Sequence, residues 1–195
     1  MGKRLNVLFV GNSYTYFNDM PEVYFKRLAE EAGYDVTVTA VTKGGAYLYQ
    51  YADKEHEQGK ILRRTISGVH YDVAVVQEQS LNPINNEESF INGVRDVKAL
   101  IDADHFVLYA TWGRNDGSSN LEELALTREE MTQGLSLAYN KAAELYDMRV
   151  AEVGKAFLSY EPKDDLYDKD KSHPSAIGSS VAASVIFEAV KGCIS

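Results

Sequence analysis

The chain has 195 residues, 45% of them hydrophobic and 25% charged, with a formal net charge of −9 at pH 7. That length suits one packed domain over 1–195, and the acidic balance argues against a nucleic-acid partner, whose phosphates demand a basic face. A single cysteine, Cys193, excludes an intramolecular disulfide and a Cys-rich metal site. No apolar run reads as long enough to span a membrane, and Met1-Gly2-Lys3-Arg4 leads straight into a short strand instead of a signal peptide. The expectation is therefore a cytoplasmic protein with no membrane partner.

Short β-rich runs alternate with amphipathic stretches, the pattern of a parallel sheet covered by helices on both faces. Leu5 to Val10 is the first strand, nearly continuous in apolar residues as a strand buried on both faces should be. Asp19 stands where a helix cap would, Pro21 suits a first turn, and Val23 to Ala32 carry a helix that Gly33 ends. Val36 to Val41 is the second strand, followed after Gly44-Gly45 by one charged helix over Tyr47 to Ile66. The third strand is Asp72 to Val76, the next helix Glu87 to Ile101, and the fourth strand His105 to Ala110. Thr127-Arg128-Glu129-Glu130 is a capping box opening a long helix to Tyr146. Arg149 to Val153 is the fifth strand, and Pro174 to Val190 the closing helix.

These elements predict a single-domain, three-layer α/β/α flavodoxin-like fold whose five-stranded parallel sheet is ordered 2-1-3-4-5. Ligands of such sheets bind at the carboxyl ends of strands beside the switch point, here between the first and third strands. The loops at Ser13 and at Gln77-Glu78-Gln79-Ser80 occupy that place.

A serine on the Gly11-Asn12-Ser13 turn and an Asp170-Lys171-Ser172-His173 turn near the other end supply the parts of a nucleophile, base and orienting carboxylate. In an Asp-x-x-His turn the carboxylate can hold one imidazole nitrogen, leaving the other free to take a serine's proton. Histidine titrates at about pH 6.5, which suits a proton shuttle. His56, His70 and His105 each read as surface or edge residues, and only Asp170 of the crowded Asp164, Asp165, Asp168 and Asp170 has the i, i+3 relation to His173.

Gly11-Asn12-Ser13-Tyr14-Thr15, Gly44-Gly45, the polar loop after the third strand and Asp170-x-x-His173-Pro174 resemble, in block order over the whole chain, the SGNH (GDSL-like) hydrolases. The resemblance implies an esterase, thioesterase, lipase or deacetylase that uses a serine nucleophile, a DxxH pair and an oxyanion hole. That hole is built from the serine amide, a glycine amide and an asparagine side chain. Carried over, Ser13 is the nucleophile, His173 the base and Asp170 its partner. The hole would comprise Ser13, Gly45 or Gly44, and a third donor. The chain departs from the family at two places. Asn12 stands for the usual Asp, and Gln79 stands where the family's Gly-x-Asn-Asp turn has Asn. Gly113-Arg114-Asn115-Asp116 spells that turn after the fourth strand, so Asn115 is the alternative donor. Asn12, Tyr14, Gln77, Glu78, Trp112 and Arg114 are the expected substrate-contacting residues. A salt bridge from a buried Glu78 to Arg114 is the structural alternative for that pair.

The reading that follows is an esterase of a small-molecule substrate with a short acyl group such as acetyl, carbohydrate-borne, needing no metal and no cofactor. A flavodoxin-like module that binds a sugar or phosphate without turnover is the alternative.

Overall fold

The structure is a computed structural model that describes residues 2–194; Met1 and Ser195, the two ends of the span read as one domain, lie outside the described residues. Strand β1 (Lys3–Gly11) leads into α1 (Ser13–Tyr16), a 3₁₀ turn at Phe17–Asp19, a π-helical turn at Met20–Phe25 and α2 (Lys26–Glu31). Strand β2 (Tyr34–Thr42) is followed by α3 (Leu48–Ala52) and α4 (Glu57–Ile66), and β3 (Tyr71–Val76) by α5 (Asn82–Asn85) and α6 (Glu87–Lys98). Strand β4 (Ala103–Ala110) precedes α7 (Ser119–Leu124) and α8 (Arg128–Tyr146). Strand β5 (Arg149–Glu152), α9 (Val153–Ser159), a 3₁₀ turn at Lys163–Leu166 and α10 (Ala176–Ile194) complete the chain.

The five strands are all parallel and lie in the order β2-β1-β3-β4-β5, as the sequence predicts. Side chains alternate between the sheet's faces. Leu8, Val10, Ala74, Val76, Leu108 and Ala110 enter one core, under α3, α4, α6 and α8. Val7, Phe9, Val73, Val75, Val107 and Tyr109 enter the other, under the π-helical turn, α2, α9 and α10. Burying each large apolar side chain stabilises by about 1.5–3 kcal/mol, so two cores on one sheet make its carboxyl edge a rigid platform for loops.

Three helix expectations need correction. The stretch from Tyr47 to Ile66 is two helices, because Arg63 turns back on it. Its Nη2 donates to the carbonyl of Ala52 (2.6 Å) and its Nη1 to that of Tyr51 (3.4 Å), satisfying carbonyls that end α3. His56 then opens α4, its Nδ1 accepting the Gln58 amide at 3.2 Å. Asp19 caps nothing: it has left-handed backbone (φ 53°), and its side chain makes no capping bond. Pro174 lies before the closing helix, in a bridge with Tyr167. Ser175 Oγ accepts the Gly178 amide (3.1 Å) in the first turn instead.

Helix α10 also runs to Ile194 and, by length and composition alone, is long and apolar enough to cross a membrane. That corrects the reading that no apolar run is long enough. Ala182, Ala183, Ile186, Phe187 and Val190 along it are buried in the second core.

The break between α3 and α4 depends on Gly59, where an added Cβ would sit 1.8 Å from the Asp53 carbonyl oxygen. Gly59→Ala is expected to lower stability by about 1–3 kcal/mol through this overlap, read as a fall in the urea midpoint at unchanged slope.

Candidate active site

Strand β1 delivers Ser13 through a turn that tolerates no side chain at its first residue. A Cβ on Gly11 would come within 2.4 Å of Thr15 Oγ1 and 2.6 Å of Gln77 Oε1. Asn12 then caps α1, its Oδ1 accepting the Tyr14 amide (3.1 Å). The Asn12 amide donates to Gln77 Oε1 (2.8 Å), and Asn12 Nδ2 donates to the Ala46 carbonyl (3.2 Å). Ser13 is thus the first residue of a helical turn, where amides lack internal acceptors. Among the described residues its own amide has none.

The far end of the chain reaches Ser13 through the turn from Asp168 to Ser175. His173 Nε2 is 2.8 Å from Ser13 Oγ, and His173 Nδ1 is hydrogen-bonded to Asp170 Oδ2. Asp170 Oδ1 also accepts the amides of Ser172 and His173, each at 2.9 Å. Burial pushes the Asp170 carboxyl up. The hydrogen bonds from the His173 ring and the two amides outweigh it and hold the group below its ordinary value, as an anion. Phe17 stacks on the imidazole at 4.3 Å and Tyr14 meets it edge-on at 5.5 Å. Structure therefore brings Ser13, His173 and Asp170 into one hydrogen-bonded line.

A cleft of about 330 Å³ opens over this line, walled by Asn12, Tyr14, Gly45, Gln79, Ser80 and Arg114 beside the three residues and Ser172. A larger cleft, about 590 Å³, lies at the opposite edge of the sheet beside Lys98, His105, Arg149 and Cys193. No serine lines it.

Of the two glycines, Gly45 borders the cleft, with φ +69°. Its amide has no protein acceptor among the described residues. Gly44 is backed by the Tyr16 hydroxyl, 3.1 Å from where its Cβ would be. Gln79 Oε1 accepts the amides of Leu81 (2.8 Å) and Asn82 (3.0 Å). Those two donors identify that end of the amide as oxygen, so the NH₂ end of the side chain is left to donate.

Asn115, the alternative donor, is a correction. Its Nδ2 donates to Asp164 Oδ1 (3.0 Å) and its Oδ1 accepts from Arg128 Nη1 (2.9 Å) and the Asp116 amide (2.9 Å). It ties loops together outside the cleft.

Gln77, Glu78 and Trp112 are corrections too, since each is 1% exposed or less and none touches the cleft. Gln77 Oε1 braces the Ser13 turn through the Asn12 amide and Thr15 Oγ1 (2.8 Å). Glu78 makes no salt bridge to Arg114. Its Oε1 accepts the amides of Leu48 (3.1 Å) and Gln79 (2.6 Å), and its Oε2 accepts from Asn82 Nδ2 (3.1 Å). Trp112 lies flat between Tyr14 (4.8 Å) and Phe157 (4.2 Å), and its Nε1 donates to the Ser172 carbonyl at 3.1 Å.

Sequence reasoning missed Ser172 and Ser80. Ser172 Oγ contacts the Tyr14 hydroxyl at 2.6 Å, and Ser80 Oγ accepts from Arg114 Nη2 at 3.1 Å. Neither serine stands in a motif that would single it out.

No family model and no curated protein matches the sequence. Solved structures do. A protein assigned to the SGNH hydrolases from Slackia heliotrinireducens superposes with a TM-score of 0.82 at 28% identity, over 97% of this chain and 99% of that one. A DUF4886 family protein from Bacteroides uniformis gives 0.79 at 20% identity, over 97% and 84%. The lipase/acylhydrolase from Enterococcus faecalis gives 0.72 at 14% identity, over 96% of each chain. The two more distant structures share the fold. The first, at 28% identity, supports an ester hydrolase of the serine type. The structures it is similar to include SGNH (GDSL-like) hydrolases, in agreement with the resemblance that its own motifs carry.

Glu78 makes the framework of this site sensitive to pH. Burial lifts its carboxyl from 4.5 to about 7 against the opposing hydrogen bonds from the Gln79 and Leu48 amides and the Asn82 side chain. The folded state thus holds a proton that the unfolded chain releases, so this stability is full below pH 4.5 and lost as pH rises to about 7. Glu78→Gln is expected to flatten that decline, worth on the order of 3 kcal/mol in the wild type. Urea unfolding at a series of pH values reads it, and parallel curves for both proteins would contradict it.

Proposed function

We propose that the protein hydrolyses short-chain acyl esters of small molecules through a covalent acyl-Ser13 intermediate. The reading is carried by the line Ser13 Oγ, His173 Nε2 (2.8 Å), His173 Nδ1, Asp170. Ser13 Oγ attacks the acyl carbon and a C–O bond forms as its proton passes to His173 Nε2. The carbonyl oxygen becomes an oxyanion beside the Ser13 and Gly45 amides and the Gln79 amide nitrogen. Collapse of the tetrahedral adduct breaks the bond to the alcohol oxygen, which leaves with the proton from Nε2. Water then attacks the acyl-serine and gives its proton to Nε2. The carboxylic acid departs as Ser13 Oγ takes that proton back. Each proton is returned, and no redox partner enters the balance. Asp170, held as an anion, keeps the ring in the tautomer that leaves Nε2 free to accept and supports the imidazolium as it forms.

The dimensions and lining of the cleft favour a small acyl group such as acetyl. Hydroxyls of Tyr14, Ser80 and Ser172 beside it suit a hydroxyl-rich alcohol portion such as a sugar. The alternative of a binding module without turnover drew on the Gln-for-Asn departure, and the free donor end of Gln79 weakens that ground.

Ser13→Ala is expected to lower turnover of an activated acetyl ester by about 10⁴ or more and to abolish labelling by a fluorophosphonate probe. Labelling that persists in the variant would place the nucleophile elsewhere. Gln79→Ala is expected to lower kcat by about 10²–10³ while KM moves little. A wild-type kcat there would remove Gln79 from the oxyanion hole.

A further inference from the structure

Arg114 stands in the wall of the same cleft with its charge uncompensated. Its Nη2 donates to Ser80 Oγ (3.1 Å), its Nε is enclosed without an acceptor, and no ion pair among the described residues includes it. Arg128, on helix α8, shares the unpartnered Nε but differs in having an ion pair. It bonds Asp116 Oδ2 at 2.9 Å and Asn115 Oδ1 at 2.9 Å. Drawing a guanidinium partly out of water without a counter-charge is unfavourable, and a chain with 29 acidic residues has carboxylates enough to supply one.

The groups around it point the same way. The Tyr14 hydroxyl and Ser172 Oγ form one hydrogen-bonded pair (2.6 Å), and Ser80 Oγ is already an Arg114 acceptor. Arg114's charge reaches the Tyr14 hydroxyl strongly enough to oppose the rise that burial imposes on it. The one carboxylate in the wall, Asp170, is engaged by His173 and two amides. Next to it a dianion would meet like charge, whereas a single carboxylate would find an open guanidinium fork flanked by hydroxyls.

We propose that Arg114 is a specificity-determining residue that selects esters carrying a carboxylate, in either the acyl or the alcohol portion, through a guanidinium that has no ion pair in the wall of the Ser13 cleft. The inference rests on the ester-hydrolase reading of that site.

Two matched substrate pairs test it: 4-nitrophenyl hemisuccinate against its neutral succinamate, and 4-acetoxybenzoate against 4-acetoxybenzamide. The first pair places the charge in the acyl portion and the second in the alcohol portion. Wild-type kcat/KM is expected to favour the charged member of at least one pair by about 10- to 100-fold, mostly through KM. The ratio should fall to near unity in Arg114→Gln and recover in part in Arg114→Lys. A wild-type ratio near unity in both pairs, or one unchanged in Arg114→Gln, overturns the inference while leaving the esterase reading intact. If the wild type cleaves none of the four esters and resists the fluorophosphonate, the esterase reading fails. Titration calorimetry then decides the arginine separately. Ser13→Ala should bind 4-acetoxybenzoate or the hemisuccinate, and adding Arg114→Gln should remove the binding; no binding before that second change overturns the inference.

Discussion

The turn between Asp168 and Ser175 belongs to no helix or strand, yet it must hold an imidazole 2.8 Å from a hydroxyl carried at the carboxyl end of β1. A loop of this kind is ordered only if its polar backbone is bonded elsewhere. Here the Lys171 carbonyl accepts the Asn115 amide (2.8 Å), the Ser172 carbonyl accepts Trp112 Nε1 (3.1 Å) and the Pro174 carbonyl accepts Asn18 Nδ2 (3.1 Å). Within the turn, the Asp168 amide donates to the His173 carbonyl at 2.8 Å. Ser172 is the centre of this set. Its carbonyl is bound to Trp112 and its hydroxyl to Tyr14, the residue next to Ser13. The stacked rings Tyr14, Trp112 and Phe157 therefore act as a spacer that sets the distance between the two catalytic loops.

The loop after β3 does comparable service from beneath. Gln77 braces the β1 turn, Glu78 reaches the first amide of α3, and Gln79 folds its carbonyl end onto α5. Three consecutive polar side chains thus tie the loops following β1, β2 and β3 together. Glu78 contributes most as a hydrogen-bond acceptor that need not be charged, since burial keeps its carboxyl protonated more readily than usual. After β3 the oxygen of Gln79 is locked by two backbone amides, which leaves its NH₂ end free to donate.

The sheet was legible because each central strand is a short apolar run rich in β-branched residues, a length and composition that favour a parallel strand buried on both faces over a buried helix. The Ser13 and His173 turns were legible because their chemistry demands particular residues at particular spacings. What the sequence concealed was orientation. Gln77, Glu78 and Trp112 sit in strand-end loops, where a polar or aromatic side chain reads alike whether it enters the cleft or the core. Asn115 carried a motif that its neighbours Asp164 and Arg128 consume for structure. The break between α3 and α4 was hidden because Arg63, which causes it, looks in sequence like any charged residue on an exposed helix face. Ser172 gave no signal, being one small residue in an acidic loop.

The electrostatics of the cleft bear little relation to the net charge of −9. Charges separated by more than about 10 Å are screened in ordinary salt, so the groups that matter are those that wall the cleft. In the resting site Asp170 and Arg114 are of opposite sign. In the proposed mechanism His173 takes the proton from Ser13, the ring becomes a second cation, and Arg114 then works against it. The oxyanion that appears in the same step offsets part of that repulsion. A carboxylate on the substrate, seated against Arg114, would offset it further and leave the imidazolium facing only Asp170. An anionic substrate would therefore do more than fill a binding subsite: by neutralising Arg114 it would lower the electrostatic penalty of the proton transfer on which the proposed reaction depends.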